Sequence, residues 1–422
     1  MEYVHISILV NFFIVVRAIG KDGIYFLSNL FAFVGCIFLV SFDIPLLFSG
    51  YFFEFFKFSE YLQRLIFIGE VSTYLGMLLS LYLLVVLPKK RQNHILENVN
   101  TPNQKVVKVF KFKDREVNIL FLIGILGYVF MYSIKGIPIF SNNIEFARQK
   151  FASGFGFILW PLRILLFSTV WLSFKRDTLK GLLFIVIAIL VIYLSGWRGN
   201  IAYLAIGVFF TLLISKRINF RVYLFAIGSV LLVSFLGIYR ATRSGENLMG
   251  LTMDDLYSFR KVLGTLLLYV IARLGVQIRT FDQVVEQLSD DLLYGRGIIM
   301  DLGVILPGGG DTLVYYIKKQ IGWWGDGGGG LPPTMFGGFY LDFGIYGVIF
   351  LSIIAGFIFH IITFISYKKS INDDRFFIIY CISLSSFFFS ILGTYFAYYI
   401  PQVLVFGLGL FLITIILKTV RK

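Results

Sequence analysis

Two cysteines in 422 residues cannot staple a fold, and three histidines scattered at His5, His94 and His360 cannot gather into a metal cluster. Charged residues make up 15% of the chain, where a soluble domain carries about a quarter. The shortage of cysteine excludes a secreted disulfide scaffold. The shortage of charge, in so apolar a chain, excludes a soluble enzyme and a disordered protein. No glycine-rich run continues into Gly-Lys-Ser/Thr, so no P-loop is present. The acidic doublets Asp254-Asp255, Asp290-Asp291 and Asp373-Asp374 do not make an Asp-x-Asp metal site. No internal repeat is visible, which weighs against an inverted-repeat transporter. What the chain has instead is apolar bulk: 58% hydrophobic residues, 48 of the total being phenylalanine.

That bulk is arranged in runs long enough to cross a bilayer, about 18 residues or more for a helix. Eleven can be bracketed: 3–19, 24–42, 65–87, 118–134, 156–174, 181–195, 200–215, 222–239, 339–363, 376–396 and 400–417. The first is read as a retained helix, because no small-residue cleavage pattern follows it. Alternate connections are rich in Lys and Arg: Arg17/Lys21, the 88–117 loop, Lys175/Arg176/Lys180, Lys216/Arg217/Arg221, Lys368/Lys369/Arg375 and Lys418/Arg421/Lys422. They hold 22 of the 38 basic residues against 7 of the 24 acidic ones. Positive loops resist translocation, so the pattern predicts an external N-terminus and a cytoplasmic C-terminus. The net charge of +14 is thereby absorbed by topology and anionic lipid, and no basic patch remains for nucleic acid.

The expected fold is an all-α polytopic membrane protein of about eleven transmembrane helices with one large external loop. It divides into 1–239 with the first eight spans, the loop 240–338, and 339–422 with the last three. A second external stretch, 135–155, is shorter. The large loop contains an apolar stretch, Val262 to Ile278, interrupted by Arg273, that reads as an amphipathic or re-entrant helix. A hundred-residue loop on a rigid scaffold is where binding and catalysis tend to sit.

Arginine dominates the basic residues outside the cytoplasmic segments, 10 of 16. Lysine would serve solubility equally well, so the bias favours recognition of phosphate or carboxylate. Arg198, in Ser195-Gly196-Trp197-Arg198-Gly199, is either an interfacial anchor or a fork for an external phosphate. Arg163 lies about 10 Å inside the fifth span, where an unpaired charge is costly. It calls for a partner, with Glu70 the structural candidate, or for a ligand-lined cavity. Arg148, Arg240, Arg243, Arg273, Arg279 and Arg296 belong to the same external set. Glu145, Asp282, Asp301 and Asp342 are external carboxylates within reach of a proton-accepting role, with Asp342 and Glu145 favoured. Helix capping or ion pairing accounts for either equally. Trp323 and Trp324 offer flat faces to a sugar or anchor an interface.

Three stretches together resemble the Wzy-type polymerases of oligosaccharide repeat units. They are Lys135-Gly136-Ile137-Pro138-Ile139-Phe140 with Glu145-Phe146-Ala147-Arg148, the turn at Arg198, and Leu331-Pro332-Pro333-Thr334 leading to Tyr340-Leu341-Asp342-Phe343-Gly344. The resemblance implies a membrane-embedded, GT-C-type glycosyltransferase that uses no metal or other cofactor. It would act on O-antigen or a related surface polysaccharide at the outer face of the bacterial inner membrane. Its substrates would be undecaprenyl-diphosphate-linked oligosaccharides, as donor and acceptor. A chain-length-regulating co-polymerase would be its partner. The resemblance also implies diphosphate-binding roles for Arg198 and Arg148, and more weakly for Arg273 and Arg279. A lipid-linked oligosaccharide flippase and an O-antigen ligase are the alternatives.

Overall fold

The computed structural model describes residues 2–22, 29–47, 58–86, 110–141, 156–215, 275–303, 313–321, 332–370 and 372–392, together with a few isolated positions. Among them every regular element is helical and no strand occurs. Among the described residues six helices are long and apolar enough to cross a membrane, which makes this a multi-pass membrane protein.

The first helices start where polar side chains cap them. Helix α1 is Glu2–Asp22. Helix α2, Leu30–Phe38, is capped by Asn29, whose Oδ1 accepts from the Phe31 N–H at 3.1 Å. It runs on through a π-helical turn, Leu39–Asp43, to residue 47. Helix α3, Glu60–Leu81, begins at Ser59, whose hydroxyl accepts from Leu62 N–H at 3.1 Å. In α4, Asp114–Lys135, Glu116 reaches back to the Lys113 N–H at 2.8 Å, and Gly136 at φ 77° ends the helix. Then come α5 (Gly156–Arg176), α6 (Thr178–Leu194) and α7 (Arg198–Ile214). In the large loop lie α8 over 275–287, α9 (Arg296–Gly303) and α10 (Leu313–Ile321). Helices α11 (Thr334–Ser370) and α12 (Asp374–Leu392) follow.

Set against the eleven expected runs, the elements shift in detail. The run at 156–174 forms α5, which carries Arg163, Lys175 and Arg176 and is not among the six. The runs at 181–195 and 200–215 form shorter apolar helices, Thr178–Leu194 and Gly199–Ile214. The runs at 222–239 and 400–417 lie outside the described residues except for single positions.

Two ends of the bundle can be told apart by charge. At one, Asp374 at the start of α12 bonds Lys175 at 3.1 Å and Arg176 at 2.9 Å, both at the end of α5. Arg176 also bonds Asp114 at the start of α4, at 2.5 Å. Arg375 pairs with Asp373 at 2.6 Å, and the Phe112 N–H donates to Asp374 at 3.0 Å. Three stretches assigned to one side by their positive charge thus meet in one network.

The ninth run departs most from expectation. It begins at Thr334, five residues early, and is broken at Phe343 (φ −143°, ψ 21°) and Gly344 (φ 60°, ψ −147°). A Cβ on Gly347 would stand 2.1 Å from the Phe339 carbonyl oxygen, eight residues away, so the chain folds back on itself there. The short arm, 334–342, runs antiparallel to α3: Phe336 covers Gly69, while Tyr340 reaches Tyr61. The long arm, 345–370, runs parallel to α3, with His360 bonded to Ser80 at 3.0 Å. Here the backbones touch: a Cβ on Gly76 would be 2.0 Å from the Ile353 oxygen, and one on Gly356 2.1 Å from the Thr73 oxygen. Small residues at a crossing permit this approach where no water drives helices together. The opening of the ninth span is therefore a re-entrant helical hairpin. The re-entrant element expected at Val262 to Ile278 lies mostly outside the described residues; 275–278 is the start of α8.

Candidate functional site

At the end opposite the ion-pair network, two groups of polar residues stand out. The first is built on Arg163. About two turns into α5, its guanidinium lies 5.5 Å from the centroid of the Trp197 ring, a cation–π arrangement. Trp197 directly precedes Arg198, the first residue of α7, so the tight turn after α6 carries both the platform and the next cation. The turn is closed by Ser195, whose hydroxyl donates to the Ile192 carbonyl at 2.6 Å, and by Gly196 at φ 74°. Tyr128 of α4 is buried, and its hydroxyl lies within electrostatic and hydrogen-bonding reach of Arg163. The Asn200 side-chain nitrogen, in the first turn of α7, is buried with no hydrogen-bond partner. Tyr132 stacks near Phe151 at 5.3 Å and donates to the Val191 carbonyl, tying α4 to α6 behind the group. The arrangement is rich in donors, which suits an anion.

Glu70 does not pair with Arg163. It sits among α1, α2 and α3, where the Asn11 amide and the Ser7 hydroxyl donate to it. Shallow depth in two spans placed both charges at similar heights, but the helices carrying them face different neighbours.

The second group joins the large loop to the hairpin. Asp342, the last residue of the short arm and fully buried, accepts from the N–H groups of Gly297 at 2.9 Å and Ile298 at 3.2 Å. These are the free donors of the first turn of α9, so a carboxylate distant in sequence caps that helix. Gly297 permits the approach, since a Cβ there would meet Asp342 Oδ1 at 2.9 Å. The backbone adds two bonds of 2.9 Å, Leu293 N–H to the Leu341 carbonyl and Tyr294 N–H to that of Asp342. Phe281 of α8 packs on Gly337 and beside Tyr340. Arg279 bonds Asp282 at 3.0 Å, and Asp282 in turn accepts from Ser59 at 3.0 Å. Burial pushes the Asp282 carboxyl above the usual carboxylate range, against the opposing pull of Ser59; Glu286 raises it further and Arg279 lowers it.

Of the expected site residues, then, Arg163 and the Arg198 backbone are adjacent, while Arg279 and Asp342 belong to the loop–hairpin layer. The Arg198 side chain and all of Glu145, Arg148, Arg273, Trp323 and Trp324 lie outside the described residues. Tyr128 and Asn200 were not singled out from the sequence. A tyrosine in an apolar run and an asparagine at a helix start carry no signal until the turn brings them near an arginine. Among the described residues no group of three or more His, Cys, Asp or Glu could hold a metal ion.

A family model described as O-antigen polymerase matches residues 4–393, nearly the whole chain. The chain belongs to the O-antigen polymerase family. Membership makes it a glycosyltransferase-like polymerase acting on lipid-linked oligosaccharide. No curated protein and no solved structure matches it significantly. For an O-antigen polymerase, a donor-lined group beside an arginine held against an aromatic ring is the feature to connect with substrate.

Proposed function

We propose that this polymerase transfers the growing glycan from undecaprenyl diphosphate to the non-reducing end of an incoming undecaprenyl-diphosphate-linked repeat unit. The reaction takes place at the periplasmic face of the bacterial inner membrane, in a GT-C-type bundle of eleven spans whose N-terminus faces outward. The observation that carries this reading is Arg163 laid against Trp197 at the turn that begins with Arg198, with the Tyr128 hydroxyl and Asn200 amide buried nearby. Breaking the sugar–diphosphate bond puts negative charge on the leaving oxygens. Guanidinium forks in a water-poor site stabilise that charge, and each positioned donor contributes about 2.7–4 kcal/mol.

Arg163 and Arg198 hold the donor diphosphate in this scheme. Arg148, in the sequence stretch that follows Gly136, and Arg273 and Arg279 of the large loop serve the acceptor diphosphate. Glu145 takes the proton of the attacking hydroxyl. Asp342, whose two oxygens already accept from α9, acts as a positioning residue that holds the large loop on the hairpin. Trp323 and Trp324 provide faces for the sugars. No step requires a metal, and a co-polymerase sets the chain length.

Surface glycan displayed on gels from cells carrying single variants tests the scheme. Arg163→Ala and Arg198→Ala should leave single repeat units capped onto the lipid acceptor and no ladder, and the lysine variants should recover little, because lysine lacks the fork. A normal ladder from either alanine variant overturns its role. In the same cells, total loss of surface repeats would mean a flippase or ligase instead. Chelator added to purified enzyme with lipid-linked substrate should leave the rate unchanged, and strong inhibition would replace the arginine scheme with a metal one.

A further inference from the structure

Deeper in the bundle, α1, α2 and α3 close around two carboxylates. The Asn11 side-chain nitrogen donates to Asp43 Oδ2 at 2.9 Å and to Glu70 Oε2 at 3.0 Å, so the two acids meet across one NH2 group. Ser7 donates to the same Glu70 oxygen. Tyr74 donates to the Asn11 carbonyl oxygen at 2.8 Å, which turns the acceptor end of the amide away from the acids. Asp43 is 1% exposed and Glu70 2%. Neither has an ion-pair partner among the described residues, and the second oxygen of each, Asp43 Oδ1 and Glu70 Oε1, is buried with no hydrogen-bond partner.

Among the described residues, the groups facing the pair supply no positive charge. From α1 come Ser7 and Asn11, from α2 the Cys36 thiol near Tyr74, and from α3 the Tyr74 hydroxyl. From α11 the nearest contribution is the Phe336 ring, stacked 5.2 Å from Phe42 and lying over Gly69. His360 is bonded to Ser80, about 15 Å further along α3. One ionised carboxylate in the apolar interior is already costly, and two that share one donor group oppose each other's charge.

We infer that Asp43 and Glu70 bind one proton between them and form a single carboxyl–carboxylate unit inside the bundle. The amide orientation selects a proton over a metal ion. A metal would need the Asn11 carbonyl facing the acids, whereas the donor end stands between them and meets one oxygen of each. The two orphaned oxygens are the acceptors that a bound proton relieves. The unit also has a mechanical neighbour. Phe42 and Gly69, adjacent in sequence to Asp43 and Glu70, both support Phe336 near the tip of the re-entrant arm. Loss of the proton would drive α2 and α3 apart beneath that ring.

Infrared difference spectra of the purified full-length protein at neutral pH, wild type against the double variant Asp43→Asn/Glu70→Gln, read the proton directly. A protonated-carboxyl band should be present in wild type and lost in the double variant. Thermal melting supplies the second readout. A folded state that keeps a proton the unfolded chain releases loses stability as pH rises, so wild-type Tm should fall from about pH 5 to about pH 8. Glu70→Gln, a neutral isostere, should flatten that slope. Absence of the band in wild type overturns the inference, as does a melting temperature that rises saturably with sodium chloride but not with choline chloride, which would place a metal ion there.

Discussion

Replacing Asp342 by alanine removes both acceptors from the first turn of α9. The lost bonds, at 2.9 and 3.2 Å, join a carboxyl group to two backbone donors in a layer where Asp342 is fully buried. Each hydrogen bond contributes about 0.5–1.5 kcal/mol, and loss of a helix cap costs about 0.5–2 kcal/mol. The bonds from Leu293 and Tyr294 to the hairpin backbone survive the change. A net loss of about 2–3 kcal/mol in docking follows, which raises the population of the undocked loop about 30- to 150-fold. Limited proteolysis in nanodiscs measures that population directly when opening and closing are fast relative to cleavage. Cleavage within 288–303 should accelerate by that factor, while the rest of the bundle keeps its protection. Asp342→Asn retains one acceptor and should fall between. Polymer synthesis should decline in step with cleavage across the three proteins. If Asp342→Asn abolishes synthesis with the loop as protected as in wild type, the carboxylate acts in proton transfer and the positioning role is refuted.

The other expectations concern the scaffold. Gly356→Leu places side-chain atoms where the Thr73 backbone already lies, 2.1 Å from the position of a Cβ, and should abolish a monodisperse peak in detergent chromatography. Asp374→Ala leaves Lys175 and Arg176 without their shared acid and should cost about 3 kcal/mol, read as a lower Tm. Addition of salt should recover little of that loss, because Asp374 is 3% exposed.

The membrane class and most helices were legible from the chain alone, because a bilayer demands long apolar runs and a translocating chain rejects positive loops. The alternation of Lys175/Arg176, the 110–115 stretch and Arg375 anticipated a common end, and their ion pairs meet there. The family was legible from the order of three short motifs, and the family match spans nearly the whole chain.

Partners distant in sequence were not. Hydropathy averages over a window and is blind to direction, so 339–363 read as one plain span, although the helix begins at Thr334 and Gly344 reverses it. Arg163 and Glu70 each announced a need for company, but charge alone does not say which helix faces which. Packing decided that: Trp197 reached Arg163 through a turn thirty-odd residues downstream, and Asn11 drew Glu70 to Asp43. One-dimensional pattern records what each segment must avoid, namely water or lipid. Which segments then touch depends on shape and close approach, and that exists only once the helices are assembled.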